Sequence, residues 1–310
     1  MARTIPELLR ERAELEARLR LIPHDGTIEV KDIKGDKYLY VRKRLAGRLA
    51  SQYIGKYSQE LHALLIRQAA EARNLKKHIR AIERQLAQSG YREGTLSERV
   101  MLNLDFARAN VKSLIYDQAV LEGISTTFPQ TEIILENGRV TGVTPSDIQK
   151  IVNLKHAWEF ILDKDIIAAK SDYHLLCHIA RLVNEGFYEY GGRIRSVSVT
   201  IGGTQYTPPI PMEPDVKERI ALGIETENSP PIDTAIDLCL YCMKTQIFND
   251  GNKRASILLA NHYLIGKGEG LLVIPEGRVN EFRTLLIAYY EEKGEAQIRK
   301  FMKDVCWRTF

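Results

Sequence analysis

A turn of four polar residues at positions 249–252 leads directly into a stretch of helix formers, and this junction constrains the fold more than any other feature. The turn has the sequence Asn-Asp-Gly-Asn, and two cations, Lys253 and Arg254, follow it. The start of a helix presents unpaired backbone N–H groups at the positive end of the helix dipole. Gly251 permits a close backbone approach, and the guanidinium of Arg254 can bind two phosphate oxygens at once. The junction therefore predicts a cradle for phosphate, with an ordinary capped helix start as the plainer alternative.

The turn also contains one carboxylate, Asp250. Mg²⁺ that bridges phosphates takes oxygen ligands, often one or two carboxylates together with the phosphates themselves. We therefore expect the ligand to be a nucleotide, with Mg²⁺ held by Asp250 through the phosphates.

This stretch resembles the signature of the Fic/Doc (Fido) family, which runs His-x-Phe-x-(Asp/Glu)-Gly-Asn-Gly-Arg and has a second Arg three residues further on. Five residues match in order: Phe248, Asp250, Gly251, Asn252 and Arg254. The resemblance implies a mainly α fold with a Fic-type helical core, and kinship with protein adenylylyltransferases, which transfer AMP from ATP to a hydroxyl of a target protein (AMPylation). It also implies catalytic roles for Asp250, Asn252 and Arg254, and nucleotide contacts from Gly251, Asn252, Lys253 and Arg254.

Three positions depart from the signature. Gln246 stands where the family has its catalytic histidine. A carboxamide cannot act as a general base, and loss of such a base costs about 10²- to 10⁴-fold in rate. Lys253 and Ile257 replace a glycine and the second Arg, as in the Doc-type branch, which phosphorylates its targets. Three functions therefore stay open: weakened AMP transfer, Doc-like phosphate transfer, and a nucleotide-sensing scaffold without chemistry.

Glu122 and Gly123 resemble the end of an inhibitory helix that one Fic class carries ahead of its core. That motif runs Ser/Thr-x-x-x-Glu-Gly/Asn, and Gln118 stands here at the hydroxyl position. In the family the glutamate pairs with the second signature Arg and blocks productive nucleotide binding. Since Ile257 cannot form that pair, two outcomes are open. Either Glu122 reaches one of the two cations after the turn, or the motif has lost its function.

Residues 186–209 are the one β-rich passage of the core, and Gly202-Gly203 predicts a tight turn within it. Its position resembles the flap of Fic proteins, a hairpin that covers the nucleotide site and binds a target segment as an added strand. We therefore expect an unknown target protein to dock on the flap residues Thr200, Ile201, Gly202, Gly203 and Thr204.

Residues 1–92 differ in pattern from residues 93–310, which we assign to the Fic/Fido domain with its N-terminal inhibitory helix. The N-terminal region predicts a helix at 5–21, a basic β-hairpin with a third strand near 49–54, and a long helix at 58–88. Apolar residues in the long helix follow a heptad pattern. We expect a coiled-coil-like helical hairpin, with a homodimer through these helices as the other possibility.

The hairpin is rich in Lys and Arg, and three tyrosines interleave with them: Tyr38, Tyr40 and Tyr53. Ribbons that bind nucleic acid often combine these residue types. Lysines also protect edge strands from aggregation, and no base-reading pattern is visible. From the sequence we therefore expect a solvated hairpin and no nucleic-acid partner.

The sequence contains four cysteines, and no apolar run approaches the roughly 20 residues of a membrane span. Both features favour a cytoplasmic protein without a membrane partner. Cys239 and Cys242 form a CxxC, but their neighbours are apolar at helical spacing, which favours core positions over a metal site. His174 and His178 lie one helical turn apart without an evident third ligand, so we expect packing roles for them.

Overall fold

The computed structural model describes residues 3–45, 48–225 and 229–309. Its described part is mainly helical, as predicted, and the chain divides into two units, Met1–Arg92 and Glu93–Phe310. None of the described helices is long and apolar enough to span a bilayer.

The N-terminal unit consists of two helices and an antiparallel sheet in the strand order β1-β2-β3. Its elements are α1 (Ile5–Leu21), β1 (Thr27–Ile33), β2 (Asp36–Leu45), β3 (Arg48–Lys56) and α2 (Gln59–Gln88). Lys34 and Gly35 connect β1 and β2. Both have positive φ angles, as the type I′ turn of a two-residue hairpin requires. Thr4 and Ser58 cap the two helices.

Helices α1 and α2 pack against each other in opposite directions, because Leu8 near the start of α1 contacts Ile82 and Leu86 near the end of α2. The inner face of the sheet places Leu39 and Val41 against Leu65 of α2. The predicted β-ribbon and helical hairpin are thus confirmed. The homodimer through these helices stays a prediction.

The second unit surrounds one central helix, α10 (Asn252–Lys267), which is buried along nearly its whole length. Helices α3, α5, α7 and α9 pack around it. The other elements are α3 (Glu98–Leu121), α4 (Phe128–Leu135), α5 (Pro145–Ile161), α6 (Lys164–Ile167), α7 (Tyr173–Val183), α8 (Glu213–Glu225), α9 (Pro231–Thr245), β4 (Leu271–Leu272), α11 (Val279–Tyr290), α12 (Glu295–Phe301) and β5 (Trp307–Arg308).

The sequence pattern of residues 97–123 predicts two helical segments, but α3 is a single helix of 24 residues, since no Gly or Pro interrupts it before Gly123. Cys239 lies in the apolar core with Leu240 and Met243, and Cys242 is buried as well. Burial raises the pKa of the Cys242 thiol to about 12, so this thiol is inert at neutral pH.

The buried His262 of α10 connects this helix to α6 and to the segment that follows α6. Its Nε2 lies 2.6 Å from the carbonyl oxygen of Ile166, and its Nδ1 lies 2.7 Å from Oγ of Ser171. A neutral imidazole satisfies both contacts, because Nε2–H donates to the carbonyl and Nδ1 accepts from the hydroxyl. Burial lowers the pKa of His262 from 6.5 to about 4.

We expect this histidine to make the protein less stable in weak acid. Below about pH 6.5 the unfolded chain binds a proton at His262 that the folded chain binds only near pH 4, so stability falls as the pH decreases across that window. The contribution is about 3 kcal/mol in the free energy of unfolding. Urea unfolding at several pH values should show it, and a His262→Gln variant should lose this part of the pH dependence. Equal pH slopes for the two proteins would contradict the assignment.

Candidate phosphate site at the start of the central helix

The loop between α9 and α10 is bracketed by two residues in the left-handed conformation. Gln246 ends α9 with a φ of 49°, and Gly251 precedes α10 with a φ of 76°. The carboxamide of Asn252 fixes the loop: its Nδ2 donates to the Phe248 carbonyl at 2.7 Å, and its Oδ1 accepts from the Phe248 amide at 2.9 Å. No side chain caps the start of α10, so the amides of its first turn have no partner within the helix.

Gly251 is required here for two reasons. Its positive φ is costly for residues with a Cβ, and a Cβ at this position would lie 2.9 Å from both polar atoms of the Asn184 carboxamide. Asn184 in turn donates to the carbonyl of Asp250 at 2.9 Å and to that of Gly191 at 3.2 Å. No feature of the sequence places Asn184 beside the turn, so our prediction missed this residue, which holds the loop in place.

Arg254 is buried, with 1% of its surface exposed. Its Nη1 donates to the Val183 carbonyl at 2.8 Å, and its Nη2 donates to Oδ2 of Asp250 at 3.0 Å. The Asp250 side chain is 45% exposed. The guanidinium is therefore held inside the domain, whereas the carboxylate that it binds is partly open to solvent.

Glu122, the residue that ends α3, lies between the two cations that follow the turn. Its Oε2 is 3.4 Å from Nε of Arg254, and its Oε1 is 3.7 Å from Nζ of Lys253. The sequence left open whether Glu122 reaches the two cations after the turn. In the structure its carboxylate contacts both of them. The pairing is loose, because Glu122 Oε1 and Arg254 Nε have no hydrogen-bond partner within the described part of the chain.

The end of α3 is held in place by further contacts. Gly123 has a φ of 81°, and Arg283 donates from Nη2 to the Leu121 carbonyl at 2.8 Å. One turn earlier, Gln118 accepts from the indole N–H of Trp158 and donates to the Arg254 carbonyl, both at 3.0 Å. A carboxamide thus connects α3, α5 and α10 at the place where the resemblance has a hydroxyl.

The carboxamide of Gln246 is engaged within the loop. Its Nε2 donates to the Met243 carbonyl at 2.6 Å, and its Oε1 accepts from Asn252 at 3.1 Å. Ile257, by contrast, is a core residue that packs in the main apolar cluster. The described structure therefore brings the predicted residues of the signature together with Glu122 at one helix start.

Comparison with known proteins found matches for both units of the chain. Residues 170–264 match the Fic/DOC family, and residues 2–63 match DUF6788, a domain of unknown function. The chain contains a Fic/DOC domain. Fic-1 from C. elegans has a similar fold, with a TM-score of 0.50 and 20% identity over 76% of this chain and 77% of that one. A Fic family protein from Desulfovibrio desulfuricans G20 is similar with a TM-score of 0.50 and 18% identity over 69% and 74% of the two chains. No curated protein matches the chain.

Residues 186–209, which we expected to form the flap, differ from the predicted hairpin. The turn at Gly202-Gly203 is present, with a φ of 84° at Gly203, but the segments on either side of it form no strands among the described residues. Thr200, Gly202 and Gly203 are exposed, Ile201 packs on the core, and Thr204 donates to Glu291.

Arg195 explains why the flap segments do not pair with each other. This guanidinium is buried and donates to the carbonyls of Val197, Pro208 and Pro209. It also donates to the Gln246 carbonyl at 2.5 Å. These carbonyl groups therefore accept hydrogen bonds from one side chain instead of from a second strand. Pro208 and Pro209 have no N–H groups and could not donate in a β-ladder.

A cavity of about 510 Å³ lies at the other end of α10. It is lined by the start of α7, by α8 and by the last turns of α10, and shares no residue with the predicted phosphate site. His174 lines this cavity, whereas His178 stacks on Phe160 with 4.4 Å between ring centroids.

Proposed function

We propose that this chain binds a nucleotide at the start of α10 and is related to the protein adenylylyltransferases, with AMP transfer that is weak or lost. One observation carries the proposal: Asp250, Lys253 and Arg254 converge at an uncapped helix start, and an internal carboxylate contacts both cations. A site that attracts the carboxylate of Glu122 has the charge and the reach to bind a phosphate group.

Nucleotide binding in this proposal displaces Glu122. A phosphate carries more charge than a carboxylate and can also accept hydrogen bonds from the amides of the first turn of α10. Release of Glu122 is favoured because its contacts leave polar atoms unsatisfied. Glu122 and Gly123 thereby act as an inhibitory element that competes with the nucleotide.

A divalent ion fits the mouth of the site. Asp250 offers a single half-exposed carboxylate, which suits a Mg²⁺ that takes its other ligands from phosphates and water. When bound, Mg²⁺ would neutralise part of the phosphate charge. Asp250 would hold it, and Lys253 would bind the terminal phosphates directly.

The chemistry of transfer lacks a base. In AMP transfer the hydroxyl oxygen of a target attacks the α-phosphorus, the bond to pyrophosphate breaks, and the hydroxyl proton must leave. Gln246 cannot accept that proton, and its carboxamide is bonded to Met243 and Asn252. These bonds favour a second candidate function, a nucleotide-sensing scaffold without catalysis. Lys253 supports a Doc-like phosphate transfer as a further variant.

Binding can be tested with calorimetry on the full chain, using ATP, GTP and UTP with Mg²⁺. We expect Lys253→Met to weaken nucleotide binding by about tenfold, because it removes one charge-assisted phosphate contact. Lys267→Met is the matched control, since Lys267 lies in the last turn of the same helix. Mass spectrometry of proteins incubated with each nucleotide then reports transfer. Equal affinity of Lys253→Met and the parent would refute the phosphate site.

A further inference from the structure

The outward face of the N-terminal sheet carries a cluster of three tyrosines. Tyr40 lies directly opposite Tyr53 across β2 and β3, with ring centroids 5.5 Å apart. Tyr38 lies on the other side of Tyr53 at 6.1 Å. The ammonium group of Lys31, on β1, lies 4.3 Å from the centre of the Tyr40 ring. We call this set the tyrosine face.

A bulge in β3 creates the tyrosine face. Leu39 pairs with Gly55, but the next residue, Tyr40, pairs with Tyr53, so one residue of β3 is left without a partner. That residue, Ile54, packs inward with Leu39. In a regular ladder Tyr40 would face Ile54, and Tyr53 would point to the opposite side. The bulge thus moves the third ring onto the outer face, where it has no part in the core.

The surroundings of the tyrosine face are basic. Residues 27–56 contain eight Lys and Arg residues against three Asp and Glu residues. Two of these carboxylates are paired, Glu29 with Arg42 at 3.0 Å and Asp36 with Lys56 at 2.8 Å. Arg44 continues the same face of β2 beyond Arg42 and is exposed. The charge left over is positive, so the face attracts an anionic partner.

We propose that the tyrosine face binds single-stranded nucleic acid, with bases stacked on the tyrosine rings and phosphates held by the surrounding Lys and Arg side chains. The sheet presents one exposed and two half-buried rings within a basic surface, and such sites combine aromatic rings with positive charge in this way. Unpaired bases can reach the rings, whereas bases inside a duplex are already stacked and cannot. The proposal departs from the prediction made from the sequence, because the sequence did not reveal the bulge that brings the three rings together.

Fluorescence anisotropy with the full chain tests the proposal. The probes are end-labelled oligonucleotides of about 15 nucleotides, long enough for a site of this kind. Oligo-dT and oligo-U distinguish DNA from RNA, and a mixed-sequence duplex of equal length tests double strands. We expect salt-dependent binding of at least one single strand and much weaker binding of the duplex. Absence of binding to both single strands, or tighter binding of the duplex, would overturn the proposal.

Substitutions locate the site. We expect the double variant Tyr40→Ala and Tyr53→Ala to weaken binding by roughly ten- to a hundredfold, because stacking is lost. The double variant Tyr40→Phe and Tyr53→Phe keeps the rings and should bind as the parent does. Arg44→Ala should reduce the slope of log affinity against log salt by about 1.

Two controls separate this site from others. Tyr190 lies in the other unit, is as exposed as Tyr53 and has the guanidinium of Arg193 over its ring. Tyr190→Ala should leave binding unchanged. Lys253→Met should also leave it unchanged, which excludes oligonucleotide binding at the phosphate site of α10. Circular dichroism checks that the alanine variants fold. If the folded alanine variant binds as tightly as the parent, the tyrosine face is not the site.

Discussion

Replacing Gln246 by histidine is expected to raise the rate of nucleotide transfer by about 10²- to 10⁴-fold, the usual contribution of a general base. A neutral imidazole at this position can take the proton of an attacking hydroxyl, whereas the carboxamide cannot. Gln246 ends α9 beside the start of α10, where the other signature residues meet, so the new base would lie next to the phosphates.

Labelled ATP followed by mass spectrometry of the chain itself and of candidate targets measures this effect. A label on the α-phosphate reports AMP transfer, and a label on the γ-phosphate reports Doc-like phosphate transfer. Gln246→Asn is the control, because it alters the side chain without adding a base. If the parent already transfers at the rate of Gln246→His, another group supplies the base and our account of the site is wrong.

Replacing Glu122 by alanine is expected to tighten nucleotide binding by roughly ten- to a hundredfold, the equivalent of one charged contact of about 1.5–3 kcal/mol. The carboxylate of Glu122 contacts both cations that a phosphate would use. Its removal leaves the buried guanidinium of Arg254 with one carboxylate fewer. The variant should therefore be less stable than the parent without nucleotide and should regain stability when nucleotide is bound.

Calorimetry and thermal unfolding with and without ATP and Mg²⁺ test both halves of this prediction. Glu136→Gln is a suitable control, because it removes a glutamate that pairs with Lys112 on α3, away from the phosphate site. Unchanged affinity of Glu122→Ala would show that this glutamate does not compete with the nucleotide. In the Gln246→His background, the same substitution should increase transfer further at low nucleotide concentration.

The local part of the site was predictable from the sequence, and its long-range part was not. The turn, its glycine and the helix after it are consecutive residues with clear conformational preferences, so the position of the helix start followed from them. Asn184 and Arg195 act on residues more than 50 positions away, at Asp250 and Gln246. No local pattern indicates such contacts, since a buried polar side chain becomes recognisable only when its partners are in place.

The same distinction between local patterns and long-range contacts applies to residues 186–209 and to the N-terminal sheet. Alternation in residues 186–209 predicted a hairpin, and of this hairpin the structure has the turn at Gly202-Gly203. It could not indicate that the buried Arg195 would donate hydrogen bonds to the carbonyl groups that would otherwise pair in a β-ladder. Within β3, the unpaired Ile54 reverses the direction of the residues that precede it. One extra residue in a ladder leaves almost no trace in composition, yet it decides which face three aromatic rings share.

The left-handed backbone at Gln246 has an evolutionary consequence. β-Branched residues are strained in this conformation, whereas histidine is among the residues that adopt it more readily. The main chain is therefore already arranged for an imidazole, and codons for glutamine and histidine differ only in their third base. Under the proposed function, a single point mutation would therefore separate a nucleotide-binding protein without transfer from an active transferase, and the main chain at this position would not have to change.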